Sequence, residues 1–249
     1  METAEIKKSG GSMKSVFTLD LKRELGLGVL SICLVASTFF INSTPGVIPD
    51  FLNISDVNFF DRGLIFPYNQ TLDDLKYVML AGALTMPIIT PLAVGFKDTW
   101  LTYGVMYTQA ILFTFGTRGL TKNLVYRYRP FMYYDITLAE TIRDSHRSFP
   151  SGTVAAAFIP AAFLSVTFCK EFPDSPWRIP VVAGSFALAT SVGVTRILAG
   201  EHFLTDVLVG AAIGSFYGWL IPTLHKRNNS GKRVSFIPTG NGGIVSLRF

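Results

Sequence analysis

The sequence predicts an all-α membrane protein whose single domain is a bundle of six transmembrane helices. Hydrophobic residues make up 49% of the 249 residues and charged residues only 16%, whereas a soluble domain carries about 25% charged residues. Backbone polar groups inside a bilayer must be satisfied within their own segment, which favours helices. Six stretches without a charged side chain are long enough to cross the hydrocarbon core. They are 25–41, 77–96, 99–117, 152–169, 179–195 and 207–224.

The elements follow in chain order. Residues 1–20 are polar and are expected to lie in the cytoplasm. The first apolar stretch is interpreted as a retained helix, because no small-residue cleavage site follows it. Pro87 and Pro91 predict a kink in the second helix, and a very short turn at 97–98 predicts a hairpin of the second and third helices.

The membrane domain is expected to span residues 21–225, followed by a basic cytoplasmic tail over 226–249. Two β-prone runs around a Gly/Asn turn in this tail indicate either a small hairpin or a disordered segment. Cys33 and Cys169 lie in different apolar stretches, where packing is their expected role. Their spacing from histidine does not match a metal site, and we expect neither a metal nor a cofactor.

The distribution of positive charge predicts the orientation. With six helices both termini share one side, which holds thirteen of the 22 lysines and arginines and leaves nine for the other. The positive-inside rule then places both termini in the cytoplasm of a multi-pass protein of the cytoplasmic (inner) membrane. We assign the net charge of +5 to this topology and expect no nucleic-acid partner. Six of the nine outward cations lie between Arg118 and Arg147, so another constraint holds positive charge there.

Three stretches of unusual residues fall on the outward face. They are "KNLVYRYRP" at 122–130, "PSGT" at 150–153 and "TRILAGEHFLTD" at 195–206. Charged residues near membrane depth are costly, which makes them candidates for function. Together, Lys122, Arg129 and Arg196 supply three positive charges suited to a phosphate group.

The same stretches supply a candidate nucleophile. Ser151 and Gly152 open a predicted helix, whose free N–H groups form an anion cradle. His202 and Asp206 are four residues apart, so on a helix they share a face and the carboxylate can orient the imidazole. An oriented histidine beside a cationic pocket suits nucleophilic attack on phosphorus, with the cations stabilising the transition state. This chemistry requires no metal.

In order and spacing, the three stretches resemble the signature of the type 2 phosphatidic acid phosphatase (PAP2) superfamily, which is KxxxxxxRP, PSGH and SRxxxxxHxxxD. The resemblance covers roughly residues 76–224 and implies a helix bundle of the PAP2/haloperoxidase type. It implies that His202 forms a phosphohistidine and that Asp206 holds its ring. It also implies phosphate-binding roles for Lys122, Arg129, Ser151, Gly152 and Arg196.

The chain departs from the family pattern at two positions. Thr195 replaces a serine, and Thr153 replaces the histidine that protonates the leaving oxygen in the family. Three explanations of Thr153 are open: an engineered replacement of a natural histidine, a substrate whose leaving group needs little protonation, or lipid binding without turnover. His146, seven residues earlier, is either an ordinary loop residue or an auxiliary proton donor. The roles of other nearby arginines, in binding an anionic headgroup or offsetting anionic lipid, are not ranked by the sequence: Arg118, Arg127, Arg143 and Arg147.

The resemblance implies a lipid phosphatase or phosphotransferase that acts at the outer face of the membrane. The expected substrate is phosphatidic acid, phosphatidylglycerol phosphate, undecaprenyl diphosphate or lipid A. The alternative is a catalytically impaired protein that binds or transports lipid phosphates on the same scaffold. The third histidine, His225, is expected at the cytoplasmic side, far from the site.

Overall fold

The computed structural model describes residues 15–41, 51–142, 144–227, 233–239 and 242–248. Short 3₁₀ turns occur at Ile54–Asp56, Met86–Ile88 and Pro130–Tyr133. The helices and strands of these residues are α1 (Leu21–Phe40), α2 (Phe59–Arg62), α3 (Gln70–Thr85), α4 (Ile89–Val94), α5 (Phe96–Leu124), α6 (Leu138–Thr141), α7 (Gly152–Glu171), α8 (Arg178–Leu198), α9 (Leu204–His225), β1 (Arg233–Thr239) and β2 (Gly242–Arg248).

Five helical segments of the described chain are long and apolar enough to cross a membrane. They correspond to five of the six predicted stretches, which makes the chain a multi-pass helical membrane protein. The remaining stretch, 99–117, lies inside α5, a 29-residue helix that is not among the five. Gln109 and several threonines lower the hydropathy of α5. The five segments are Leu21–Phe40, Gln70–Val94, Gly152–Glu171, Arg178–Leu198 and Leu204–His225.

The second predicted helix is interrupted where its prolines lie. A 3₁₀ turn containing Pro87 separates α3 from α4, as the proline pattern predicts. The predicted turn at 97–98 was wrong, because Lys97 already lies in the first turn of α5. The break falls at Gly95, whose φ of 135° is a conformation that glycine adopts without steric cost.

Helix α7 is the centre of the bundle, and α9 packs closely along it. A methyl group added at Gly210, Gly214 or Gly218 would lie within 2.2–2.5 Å of a carbonyl oxygen of α7 or of Ser151. Small residues at this four-residue spacing let two helix backbones approach each other. The contact brings the start of α7 against the start of α9, where the Ser151 N–H donates to the Asp206 carbonyl at 3.0 Å.

The segment before α1 is docked at the other end of α9. The Thr18 N–H donates to the His225 carbonyl at 3.0 Å, and Phe17 is buried beside Lys226. Most of the predicted N-terminal segment, residues 1–14, lies outside the described residues. In the tail, β1 and β2 pair antiparallel from Arg233↔Arg248 to Thr239↔Gly242, in agreement with the hairpin alternative.

Candidate active site

The three sequence motifs meet at one end of the bundle. Lys122 lies on the last turn of α5, Ser151 caps α7, and Arg196 lies in the last turn of α8. Backbone hydrogen bonds join the connecting loops. Arg127 N–H donates to the His146 carbonyl at 3.1 Å, and Phe131 N–H donates to the Gly200 carbonyl at 2.9 Å. The loops are therefore fixed relative to one another, and so are the side chains that they carry.

Two buried guanidinium groups converge on one carboxylate. Arg129 is 9% exposed and Arg196 is 1% exposed. The Arg129 Nη1 contacts the Glu201 carboxylate, and the Arg196 Nη2 lies 3.1 Å from Glu201 Oε2. Burial, together with the charge of Arg196, lowers the pKa of Arg129 to about 10, which leaves it protonated at neutral pH. A planar pair of donors that holds carboxylate oxygens also suits phosphate oxygens.

Lys122 and the Asp73 carboxylate flank the two arginines from two sides. The Lys122 Nζ lies 3.6 Å from Asp144 Oδ2. Burial alone would raise the pKa of Asp144, but the charges of Lys122 and Arg129 hold it below its usual range. On the far side, the Arg196 Nη1 lies 2.5 Å from Asp73 Oδ1. Arg196 is therefore held between two carboxylates, those of Asp73 and Glu201, and its position is fixed.

His202 is buried and carries no charge at neutral pH. Burial lowers its pKa to about 3, and the charges of Arg129 and Arg196 act in the same direction. Its Nδ1 lies 3.6 Å from Asp206 Oδ2, longer than a hydrogen bond, and has no other partner in the described structure. Catalytic hydrogen bonds often tighten only when substrate binds. A neutral imidazole with Nδ1 facing a carboxylate has a free lone pair on Nε2, as a nucleophile requires.

Asp206 is itself held by several donors. Its Oδ2 accepts the Phe203 N–H at 2.9 Å and the Ser148 hydroxyl, and its Oδ1 lies 2.5 Å from Arg127 Nη1. The aspartate is completely buried. These contacts fix the carboxylate that faces His202, and two of the donors, Ser148 and Arg127, were not among the predicted site residues.

A second buried carboxylate, Asp61 of α2, lies behind Arg127. The Arg127 Nη2 is 2.5 Å from Asp61 Oδ2, and the Thr205 N–H donates to Asp61 Oδ1 at 2.9 Å. Burial alone would raise the pKa of Asp61, but the bonds from Thr205 and Arg127 keep it below its usual range. Arg127 thus links Asp61 to Asp206, while its guanidinium lies 4.1 Å from the Phe203 ring centroid.

Sequence reasoning missed the four acidic partners Asp61, Asp73, Asp144 and Glu201. A signal for two of them was present, because residues 42–76, the loop before α3 together with its first turns, carry five aspartates that can balance the basic 118–147 segment. The pairs Asp61–Arg127 and Asp73–Arg196 join this acidic loop to the cations of the site. They also compensate the charges of two of the nine cations that the sequence analysis assigns to the outward face.

The start of α7 forms the remaining wall. The Ser151 hydroxyl accepts the Val154 N–H at 3.4 Å. The N–H groups of Gly152 and Thr153, at the very start of the helix, have no intrahelical acceptor. A methyl group at Gly152 would lie 2.2 Å from Arg118 Nη1, so the guanidinium of Arg118 rests on the helix start. Thr153 follows directly and is half-buried.

His146 lies in the adjacent loop and stacks on Tyr126, with ring centroids 5.2 Å apart. Burial and the charge of Arg147 lower the pKa of His146. This shift favours the neutral form of His146, and its role, as a loop residue or as an auxiliary proton donor, stays a prediction. Of the unranked arginines, Arg143 lies outside the described residues.

The fold and the site define an integral membrane protein with a buried cluster of arginines and carboxylates around a neutral histidine. The family model of the PAP2 superfamily matches residues 99–230, more than half of the chain. The chain therefore belongs to the PAP2 superfamily, and the family predicted from the three motifs is confirmed.

Individual relatives cover parts of the chain. It is 28% identical over 151 residues to phosphatidylglycerophosphatase B of Bacillus subtilis, covering 57% of this chain and 68% of that protein. It is 38% identical over 103 residues to a lipid A 1-phosphatase of Porphyromonas gingivalis, covering 40% of this chain and 22% of that protein. In fold it is similar to the crystal structure of a transmembrane PAP2 type phosphatidylglycerolphosphate phosphatase from Bacillus subtilis, with a TM-score of 0.51, 20% identity and coverage of 84% and 99%.

Proposed function

We propose that the protein is a lipid phosphatase or phosphotransferase that transfers a phosphoryl group from a membrane lipid to His202. The observation that carries the proposal is the neutral, buried His202 between Asp206 and the Arg129–Arg196 pair. The names of its relatives support lipid phosphates as the substrate class, since phosphatidylglycerophosphatase and lipid A 1-phosphatase both occur among them.

In the first step, Nε2 of His202 attacks the phosphorus. An N–P bond forms, the bond between phosphorus and the leaving oxygen breaks, and its electron pair goes to that oxygen. The Nδ1 proton stays on the ring, whose new positive charge Asp206 stabilises. Lys122, Arg129 and Arg196 hold the non-bridging oxygens and stabilise the charge of the transition state.

In the second step, the N–P bond is cleaved. Water as acceptor gives a hydrolase, and a hydroxyl group of a second molecule gives a phosphotransferase. We expect neither step to need a metal or a cofactor. The N–H groups at Gly152 and Thr153 add donors for the phosphate at the start of α7.

The proposal includes a membrane orientation. α5 would act as a sixth span, because its 29 residues extend about 43 Å. Both termini then lie in the cytoplasm, and the site opens on the outer face of the cytoplasmic membrane. The excess of lysine and arginine on the side of the termini supports this orientation.

The test is phosphate release by purified protein from phosphatidic acid, phosphatidylglycerol phosphate, undecaprenyl diphosphate and lipid A. We expect release from at least one lipid and its loss in His202→Ala. Quenching in alkaline denaturant during turnover should trap phosphate on His202, because the N–P bond is stable in base and labile in acid. Mass spectrometry of the peptide, kept at alkaline pH, detects it. Equal release by the two proteins would overturn the proposal.

A second candidate function rests on Thr153. A threonine hydroxyl is a poor proton donor at neutral pH, and a general acid contributes about 10²–10⁴-fold. The protein would then bind a lipid phosphate without turnover. Tight binding of a lipid headgroup with no phosphohistidine on any of the four lipids would favour this function over catalysis.

The role of position 153 is tested by Thr153→His. With a phosphate monoester as substrate, we expect about a 10- to 100-fold gain in kcat, because the new imidazole can protonate the leaving oxygen. Thr153→Asn, which is polar but not acidic, serves as the matched control and should give no gain. An unchanged rate in both variants would mean that the substrate does not need a general acid at this position.

A further inference from the structure

A polar cavity of about 280 Å³ lies beside the candidate active site. It is bounded by the outer end of α1, the last turns of α5 and the loop after residue 143. Arg118, Lys122 and Arg147 line it together with Asn123 and Asp144. The sequence motifs assign a role only to Lys122 among these residues.

The cavity is held open by specific contacts. The Asn123 Nδ2 donates to the carbonyl oxygens of Thr38 and Ile41 at 2.7 Å each, which ties the end of α1 to α5. The Asn123 Oδ1 accepts Arg147 Nη2 at 2.9 Å. The same amide thus connects two walls and orients an arginine of the third, which indicates a built pocket and not a gap between loops.

Positive charge exceeds negative charge in this cavity. Two of its cations, Arg118 and Lys122, face one lining carboxylate, that of Asp144, which lies 3.6 Å from Lys122 Nζ. Within the described residues, Arg118 forms no ion pair, and its buried Nε has no hydrogen-bond partner. By contrast, Arg127, Arg129 and Arg196 each have a carboxylate within contact distance. A buried donor without a partner is costly, so it indicates a position kept for a ligand.

The cavity shares a wall with the site of phosphoryl transfer. Lys122 lines the cavity and belongs to the first phosphate-binding motif. Arg118 rests on Gly152, where α7 begins, so close that a methyl group there would lie 2.2 Å from its Nη1. Two phosphate groups joined by one oxygen need adjacent anion sites with a shared boundary, and Lys122 is common to the cavity and the first phosphate-binding motif.

The opposite side of the cavity faces the lipid. Phe39 at the end of α1 lines it and is 79% exposed. An apolar chain attached to a phosphate in the cavity would therefore leave along an apolar helix end. We propose that this cavity binds the lipid-linked phosphate of a lipid diphosphate while the terminal phosphate lies beside His202. This inference rests on the proposed function and narrows its substrate class.

The proposed subsite also gives a reason for Thr153. His202 Nε2 bonds to the terminal phosphorus, the bridging P–O bond breaks, and its electron pair stays on the bridging oxygen. The leaving group is the lipid monophosphate, which departs as an anion and takes up no proton in this step. Arg118 and Arg147 neutralise its charge, which is the task that a general acid performs when an alkoxide leaves.

The test compares a polyprenyl diphosphate with the monophosphate of the same lipid. In Arg118→Gln we expect kcat/KM for the diphosphate to fall about 10- to 100-fold, the effect of one charged hydrogen bond to phosphate. The fall for the monophosphate should be at least about fivefold smaller, because only the diphosphate places a phosphate in the cavity. Arg62→Gln is the matched control, because Arg62 lies in α2 and donates to the carbonyls of Ser55 and Val57. Equal losses on both lipids, or no loss on either, would overturn the subsite.

A binding experiment separates this inference from the proposed function. Calorimetry with His202→Ala protein compares inorganic pyrophosphate with orthophosphate in the absence of turnover. We expect pyrophosphate to bind at least about tenfold more tightly, and Arg118→Gln in this background to remove the difference. If pyrophosphate shows this Arg118-dependent preference but the unmodified protein turns over no lipid, the subsite is supported and the catalytic proposal is contradicted. If the unmodified protein turns over lipid monophosphates but shows no Arg118-dependent preference for pyrophosphate, the catalytic proposal is supported and the subsite is contradicted.

Discussion

The two ends of helix α9 each carry a buried histidine, and the two differ in how their polar atoms are satisfied. His225 lies at the C-terminal end, where Nδ1 is 2.8 Å from the Ile221 carbonyl and Nε2 is 2.9 Å from Glu24 Oε2. His202 lies just before the N-terminal end, and its Nδ1 has no hydrogen bond. The helix of 22 residues separates these ends by about 33 Å.

The surroundings differ in the same sense. At the His225 end, Gln109 donates to Glu24 Oε2 at 2.8 Å and Arg23 pairs with Glu24 at 3.0 Å, so the cluster is closed on itself. At the His202 end, the Arg129 and Arg196 guanidinium groups share one carboxylate, that of Glu201, and His202 Nδ1 has no hydrogen-bond partner in the described structure. Buried polar groups in native proteins are normally paired. We therefore interpret His225, whose ring nitrogens are paired, as structural. We interpret His202, whose Nδ1 is unpaired, as a residue that interacts with a ligand.

The largest expected effect separates the two histidines. His202→Ala should lower phosphate release by about 10⁴-fold or more, as loss of a nucleophile does, without lowering the thermal midpoint. His225→Ala should keep the rate per folded molecule within about threefold. It should lower the midpoint by about 4–10 °C, because Glu24 loses a buried partner. Activity assays and thermal unfolding of both variants in one detergent measure this. An inactive but stable His225→Ala protein would break the comparison.

A smaller effect is expected at Arg127, a positioning residue that acts through Asp206. In Arg127→Lys the ammonium group retains the charge but cannot fork between Asp61 and Asp206. We expect kcat to fall about 10- to 100-fold with KM within about threefold, because the carboxylate facing His202 loses its fixed position while phosphate binding is kept.

The matched control for this change is Arg62→Lys. Arg62 belongs to the same short helix as Asp61, and its described hydrogen bonds go to the carbonyls of Ser55 and Val57. Its kcat should stay within about twofold of the unmodified protein. A rise in KM without a change in kcat for Arg127→Lys would assign Arg127 to substrate binding instead.

Much of the fold and of the candidate site could be predicted from the sequence, because the patterns that determine them are local. Uncharged stretches of membrane length predicted the helices, and fixed spacings within three motifs predicted Lys122, Arg129, Arg196, His202 and Asp206 as one cluster. The structure brings these five residues to one end of the bundle. Their catalytic and binding roles stay predictions.

What the sequence did not reveal depends on pairings between distant segments. Asp61 and Arg127 are 66 residues apart and Asp73 and Arg196 are 123 apart, so no local period connects them. The continuation of α5 past Arg118 was missed because a charged residue was taken as the end of a span. In the fold, the side chains of Arg118 and Lys122 line the polar cavity. Helix α5 can therefore continue past Arg118 without exposing these charges to lipid. The glycines at 210, 214 and 218 were a readable signal for close helix packing that was not used.

Substitution of Glu201 tests whether the His202 end of α9 binds phosphate. Its carboxylate occupies the region between Arg129 and Arg196 where phosphate oxygens are proposed to bind. Glu201→Gln keeps the shape and removes the negative charge, so the inhibition constant of orthophosphate should fall about three- to tenfold. Glu24→Gln at the paired end is the matched control and should leave this constant unchanged. A weaker inhibition in Glu201→Gln would mean that the carboxylate holds the two arginines in place more than it competes with phosphate.

The smallest expected effect concerns pH. Burial and the neighbouring arginines lower the pKa of His202 to about 3, so its neutral form persists as pH falls, whereas an exposed histidine gains its proton near pH 6.5. In ¹⁵N-histidine-labelled protein, the ring nitrogen shifts of His202 should not change between pH 8 and about pH 5, with His202→Gln supplying the assignment. A titration with a midpoint above about pH 5 would contradict the lowered pKa of His202. A midpoint near or above pH 7 would also count against the proposed nucleophile, because a protonated imidazole has no lone pair with which to attack phosphorus. If the shifts stay constant, any loss of phosphate release over this range must come from the substrate or from groups other than the proposed nucleophile.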